Sequence, residues 1–457
     1  MRRFSQLLVL AVAFLIYGAQ LWVFRGFHTD DAYITFRYVR QWTHGNGLVY
    51  NIGERVEGYS NFLWVLLLAP SESAGVDLGL AAKVLGCLLG LLTLVVTFQF
   101  GRRFFGEGTA TLLLAASTPF AVWTWGQLET LLFAFLLLSG TYVFLREEER
   151  GSGGWSGVLF GLLALTRPEG ILFFGIAVAY RVWTLVRDGE RPAPRDRVRL
   201  TTFLAVFAPH FLWRLSYYGY PLPNTVYAKS LGLHPRAFLE GIVYLYNCIS
   251  STGGWFFLAA PMALILTSPL CSPTTGYLLA NLLGYAAFVV AGGGDWMPAQ
   301  RLMVHVLPLA YLLVSAGLSY LRQVAWPTTW GAGVARLLLI GQLLYLLAGS
   351  AQARLIEGIG QGPFLPPRVG DAKYLTEHVQ PGDTIAVAQA GMIAYWAPLE
   401  TRIVDVVGLA DAHIAHLPVH LPGGILGQGD GFGKWDVDYV LARTPRFVQV
   451  NLSGVSA

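Results

Sequence analysis

About eleven long apolar stretches divide this chain, and a chain so built can satisfy most of them only in a lipid bilayer. A helix crosses the hydrocarbon layer with roughly 20 apolar residues, about 17–25 being usual. The stretches fall at 4–24, 79–101, 109–124, 128–146, 155–169, 170–187, 199–216, 253–268, 276–291, 302–321 and 331–350. Charged residues make up 13% of the sequence, against about 25% in soluble domains. The expected fold class is therefore mainly α: a polytopic membrane protein.

The arginines set its orientation. With the N-terminus inside, Arg102 and Arg103, Arg146 with Arg150, and the run from Arg187 to Arg199 all fall in short inner loops. A net charge of +4 distributed in this way gives no reason to expect nucleic acid as a partner. Residues 61–76 need separate treatment, because counting them as a span would invert every later loop. They are read as an interfacial or re-entrant helix inside one large outer loop, 25–78. Arg2 and Arg3 followed by an apolar run suggest a signal peptide, but the run continues to Phe24 with no A-x-A site. An uncleaved signal anchor is expected.

Near residue 355 the texture changes. Gly362-Pro363 and Pro366-Pro367 mark a linker. A helix at 371–379 and β-rich runs at Thr384–Val387 and Arg402–Val407 follow, bounded by turn residues such as Pro381-Gly382-Asp383. The spacing predicts a transmembrane domain over 1–354 and a small extracytoplasmic α/β domain over 355–457. The three cysteines, Cys87, Cys248 and Cys271, have no metal-site spacing, and free thiols are expected.

Chemistry concentrates in the first outer loop. Thr29 is placed to cap a helix that starts at Asp30 and ends at Gly45-Asn46-Gly47. On that helix Asp30, Tyr33, Ile34 and Arg37 share a face, and Asp31 points about a quarter-turn away. Acids in a first helical turn are also explained by the helix dipole. Arg55-Val56-Glu57-Gly58-Tyr59 lies in the same loop. Other ionisable residues stand at span ends: Glu129, Arg167 with Glu169, Lys229, and Asp295 beside Trp296 with Arg301 beyond. Each alone suits a snorkelling or turn residue, yet the topology places them all on the outer side. His210 and His305 sit inside spans, where a buried, hydrogen-bonded histidine is commoner than a ligand. His413 and His416 are expected on one face of a solvated helix. There is no HExxH motif, P-loop or zinc spacing.

These blocks resemble the GT-C superfamily of polyprenyl-phosphate-sugar-dependent glycosyltransferases. More narrowly, Asp30 to Tyr38, Gly47-Leu48-Val49-Tyr50-Asn51 and Glu54 to Trp64 are similar to the first outer loop of bacterial cell-wall terminal arabinofuranosyltransferases. So are Leu128-Glu129-Thr130, Thr166 to Gly170, Gly293 to Met297, and Ile403 to Asp411. In order they cover most of the chain.

The resemblance implies a sugar, with arabinofuranose among the candidates, moved from a polyprenyl-phosphate donor to a glycan, lipid or protein hydroxyl outside the plasma membrane, with membrane lipids around it. Attack by a hydroxyl needs a base. An aspartate serves, being ionised at neutral pH with an ordinary pKa of about 3.9. Asp30 is nominated as base, giving inversion at the anomeric carbon, with Asp31 orienting the acceptor or helping to hold a divalent cation. Arg301, Arg167, Lys229 and Arg37 are the candidates to meet the lipid phosphate. Glu57, Tyr59, Glu129, Glu169, Asp295 and Trp296 are expected to bind sugar or acceptor, or to hold those cations. Tyr33, Tyr59, Trp64 and Trp296 also suit stacking on sugar, guiding the prenyl chain or an interfacial aromatic belt. Two rival readings are carried: a lipid or solute transporter or flippase, which should show inverted halves and midplane helix breaks, and a membrane-anchored glycan-binding protein.

Overall fold

Apolar runs become helices here because hydrocarbon offers the backbone no outside hydrogen-bond partner. The computed structural model describes residues 2–229, 235–252, 272–320, 329–355, 359, 374–375, 377–419 and 433–449. Helix α1 (Arg2–Phe24) leads through α2 (Asp31–Thr43) and α3 (Phe62–Ser73) to α4 (Leu78–Phe105). Then come α5 (Ala110–Ala116), α6 (Thr118–Thr124), α7 (Thr130–Arg150), α8 (Ser156–Thr166), α9 (Gly170–Asp188) and α10 (Pro194–Tyr218). Short α11 (Asn224–Lys229) and α12 (Pro235–Thr252) precede α13 (Pro273–Ala291), α14 (Arg301–Val304), α15 (Leu307–Tyr320) and α16 (Thr329–Leu355).

Among the described residues, six helices are long and apolar enough to cross a membrane, lying in α1, α4, α7, α9, α13 and α16. The stretches at 109–124, 155–169 and 302–321 instead form shorter or broken helices. The expected span at 253–268, the linker prolines, residues 371–373 and 376 of the expected helix at 371–379, and Cys271 lie outside the described residues. Cys87 and Cys248 are free thiols. Helix α3 has 12 residues. At 1.5 Å per residue it reaches about 18 Å, too short for a bilayer core of about 30 Å. The break between α5 and α6 falls at Ser117, just before Pro119, whose ring cannot continue a helix. Gln20 closes this gap by donating to the Ala116 carbonyl at 3.1 Å and to Ser350 at 2.7 Å.

Helix α2 begins at Asp31, one residue later than the sequence suggested. Thr29 does not cap it, because its hydroxyl donates to the Gly126 carbonyl at 3.0 Å. The C-terminal region builds a parallel sheet in the order β2-β1-β3 from β1 (Thr384–Val387), β2 (Arg402–Asp405) and β3 (Phe447–Val448). Ile385 pairs with Ile403 and with Phe447. The small helices α17 (Met392–Trp396), α18 (Ala412–Ala415) and α19 (Val437–Ala442) accompany it.

Sheet and membrane helices share one continuous core, which includes Ile385, Val387, Met392, Ile393 and Ile403 beside Phe36 and Tyr38. Polar contacts fix the docking. Asn51 donates to the Ile403 carbonyl and accepts from its N–H, both at 2.9 Å. Arg37 is fully buried and donates to the carbonyls of Tyr50 and Thr401, each at 2.8 Å, and to that of Ala394. Those carbonyls replace the water a buried guanidinium loses. Arg37 is thus a structural clasp, a correction to its placement among the phosphate-binding candidates.

Candidate active site

Nine chain segments converge on one cavity of about 500 Å³. Helix α2 contributes Asp31, Ile34 and Thr35, which share a face by their i, i+3, i+4 spacing. The neighbouring face turns Tyr33 and Arg37, with Asp30 just ahead of the helix, toward the C-terminal region. The Asp30 carboxylate accepts from the N–H groups of Gly391 and Met392 at 3.1 and 2.9 Å. Tyr33 packs edge-on to Tyr395 at 5.3 Å. Asp30 is not among the residues lining the cavity, and Asp31 is.

The turns between membrane helices supply the other charges. Glu129 lies before α7, Arg167 and Glu169 between α8 and α9, Lys229 at the end of α11, and Arg301 at the start of α14; all five line the cavity. Arg167 donates to Glu129 at 2.7 Å and to Glu169 at 2.5 Å. The other Glu129 oxygen accepts from Asn61 at 2.7 Å, and Asn61 also meets Thr35 at 3.2 Å. Arg301 makes a two-pronged pair with Asp295 at 2.8 and 3.1 Å. Asp295 itself stands behind Arg301 rather than on the wall. Lys229 titrates below an ordinary lysine, first because it is removed from water and then because Arg301 repels it, while Asp31 and Asp295 pull the other way. Asp31 also attracts Arg301. The acid on α2 therefore faces the cations across the cavity.

The rim differs in character. Leu222, Val226 and Phe288 line the cavity and remain about 40% exposed, giving it an apolar mouth. No sequence signal marked these residues, which read as ordinary span-end side chains. Asn61 also had no assigned role, though a buried amide just before an apolar helix is the kind of residue that must find a partner.

Among the aromatic candidates only Tyr59 lines the cavity, its hydroxyl 3.2 Å from that of Tyr218. Trp64 is buried and donates to the Gln127 carbonyl at 3.1 Å. Trp296 packs against the core, outside the lining. Glu57 is buried off the cavity, 3.7 Å from Arg214. Burial pushes its pKa up to about 8, with Arg214 opposing. His305 is buried with its Nδ1 2.7 Å from the Tyr285 hydroxyl, while His210 stacks on Phe62 at 4.1 Å. His413 meets Asp436 at 2.8 Å and His416 lies against Tyr220 and Tyr227, so the two do not act together. Among the described residues, no three His, Cys, Asp or Glu side chains cluster to hold a metal.

Residues 74–213 match a family described as dolichyl-phosphate-mannose-protein mannosyltransferase, and residues 361–453 match a domain of unknown function. The chain is 27% identical over 361 residues to a terminal beta-(1->2)-arabinofuranosyltransferase of Mycobacterium tuberculosis, covering 68% of this chain and 54% of that protein. The enzyme of the same name from Corynebacterium glutamicum is 25% identical over 342 residues, covering 63% and 47%. The chain thus spans about half the length of the curated relatives it matches. Among solved structures, ArnT from Cupriavidus metallidurans bound to undecaprenyl phosphate superposes with a TM-score of 0.58 at 16% identity, over 86% of this chain and 85% of that one. The mycobacterial arabinofuranosyltransferase AftD gives 0.50 at 16%, over 89% of this chain and 32% of AftD. In fold, this chain is a polytopic membrane protein similar to the GT-C type of glycosyltransferase.

Proposed function

We propose that the chain transfers a sugar from a polyprenyl-phosphate donor to an acceptor hydroxyl, with Asp31 as general base. The observation that carries this reading is the cavity itself: one carboxylate on α2 faces Arg167, Lys229 and Arg301, beneath an apolar mouth. The mouth suits a prenyl chain arriving from the lipid. The cations suit its phosphate, and would stabilise the charge that grows on the phosphate as the glycosidic bond breaks. Arg301 and Arg167 are each held by carboxylates, so their positions are set before the donor arrives. Asp31 accepts the acceptor's proton as its oxygen attacks the anomeric carbon. Phosphate leaving from the opposite face gives inversion.

Asp30, nominated beside it, has its carboxylate taken up by two backbone N–H groups; its role in this reading is to fix α2 against α17. Glu129 and Glu169 hold Arg167, and Tyr59 and Asn61 are the polar surfaces nearest a bound sugar. The names of the sequence relatives favour arabinofuranose as the sugar. The arginine-rich loops favour a site on the extracytoplasmic side of the plasma membrane, and the acceptor is a glycan, lipid or protein hydroxyl there. Purified protein is to be incubated with a panel of prenyl-phosphate sugars and the freed prenyl phosphate read by mass spectrometry. Release from the arabinofuranosyl donor is expected; release from none of the panel overturns the proposal.

A further inference from the structure

We propose that Trp123 is the positioning residue that holds Arg301 on the cavity wall, by clamping the left-handed turn from which Arg301 emerges. Ala299 and Gln300 have φ of 51° and 44°. Neither is glycine, so each Cβ crowds its neighbouring carbonyl in a backbone region such residues rarely adopt. Strain of this kind persists only where the surroundings impose it.

The surroundings here are specific. The Trp123 indole N–H donates to the carbonyls of both Pro298 and Ala299, each at 3.1 Å. Trp123 is fully buried and wedged edge-on to Phe27 at 5.5 Å, so its ring cannot follow a turn that relaxes. Beyond the turn, the Leu302 N–H donates to the Tyr244 hydroxyl at 3.2 Å. Asp295 and Arg301 close the loop at its two ends by their paired hydrogen bonds. Trp123 does not line the cavity, and its ring centre lies 5.7 Å from the guanidinium carbon. It acts through Arg301.

If the indole N–H is lost, Ala299 and Gln300 can return to ordinary backbone and carry Arg301 off the wall. If Gln300 is also made glycine, the left-handed turn loses much of its cost and is regained without the clamp. The second measurement below rests on the proposed donor class; the first does not. Native protein, Trp123→Phe, Gln300→Gly and the double variant are reconstituted in nanodiscs. Hydrogen exchange is read for the peptide containing residues 296–303, and affinity is read for undecaprenyl phosphate.

Trp123→Phe is expected to speed exchange about tenfold and weaken affinity about tenfold. The double variant should recover at least half of each loss on a logarithmic scale, and Gln300→Gly alone should stay within twofold of native. Recovery by glycine is an outcome that a merely loosened core would not give. Should Trp123→Phe not fold, 3-benzothienylalanine at position 123, which keeps the bicyclic ring and lacks the N–H, carries the same test with the same tenfold changes expected. Unchanged exchange, or a double variant as impaired as Trp123→Phe, overturns the proposal. A native protein without affinity for undecaprenyl phosphate contradicts the donor reading, while the exchange result still decides the clamp.

Discussion

The carboxylate of Asp30 accepts a hydrogen bond from the backbone N–H of Met392 at 2.9 Å, across 362 residues of chain. This contact separates two acids that are adjacent in sequence. Asp30 joins the first large loop to the C-terminal region, and Asp31 is left to the cavity.

Asp30→Ala is therefore expected to act on stability. Two N–H groups at the start of α17 lose their acceptor, a loss of about 1–3 kcal/mol. Thermal unfolding should shift down by several degrees, and sugar transfer by the folded fraction should stay within tenfold of native.

The Arg301–Asp295 pair predicts a different pattern. Arg301→Met leaves a buried carboxylate uncompensated and should destabilise by about 3–5 kcal/mol. Arg301→Met with Asp295→Leu should recover most of that stability while donor affinity stays lost. Chemical denaturation together with prenyl-phosphate binding checks both halves.

Close approach gives a third prediction. A Cβ at Gly391 would lie 2.0 Å from the Asp30 carbonyl oxygen, whereas one at Gly18 meets nothing within 4 Å. Gly391→Ala should lower the unfolding temperature markedly, and Gly18→Ala should leave it within a degree or two. Equal effects would contradict the docking described here.

Stability should also fall as pH rises. Burial raises Glu57 from 4.5 to about 8 and Asp405 from 3.8 to about 7. Folded protein then binds these protons more tightly than unfolded chain. Their contribution is full below about pH 4 and lost as pH climbs through 7 and 8, at up to about 1.4 kcal/mol per unit for each group. Glu57→Gln should flatten the part of the slope between about pH 4.5 and 8. Unfolding in nanodiscs between pH 5 and 9 reads this directly, and an unaltered slope would contradict it.

Much of this was legible in the sequence, for identifiable reasons. Apolar length gave the long helices, and alternating β-rich runs gave β1 and β2 nearly to the residue. Helical spacing showed that Asp30 and Arg37 share a face from which Asp31 turns away. It did not show which face meets the cavity, because that depends on α17, more than 350 residues distant along the chain. Arg37 misled for the same reason: its carbonyl partners at Ala394 and Thr401 are invisible to local pattern. Asp295 was marked by its position near Arg301, but only the turn at Ala299 and Gln300 brings them together. The apolar rim gave no signal, since Leu222, Val226 and Phe288 look like any residues at a membrane boundary.

The most direct test of the whole account is the rate at which prenyl phosphate is released from a prenyl-phosphate arabinofuranosyl donor in the presence of acceptor, by native protein and by Asp31→Asn. Loss of a general base lowers turnover by about 10²–10⁴-fold. The account predicts a fall in that range, with donor affinity within threefold of native and unfolding temperature within about two degrees. Turnover by Asp31→Asn within tenfold of the native rate would contradict it.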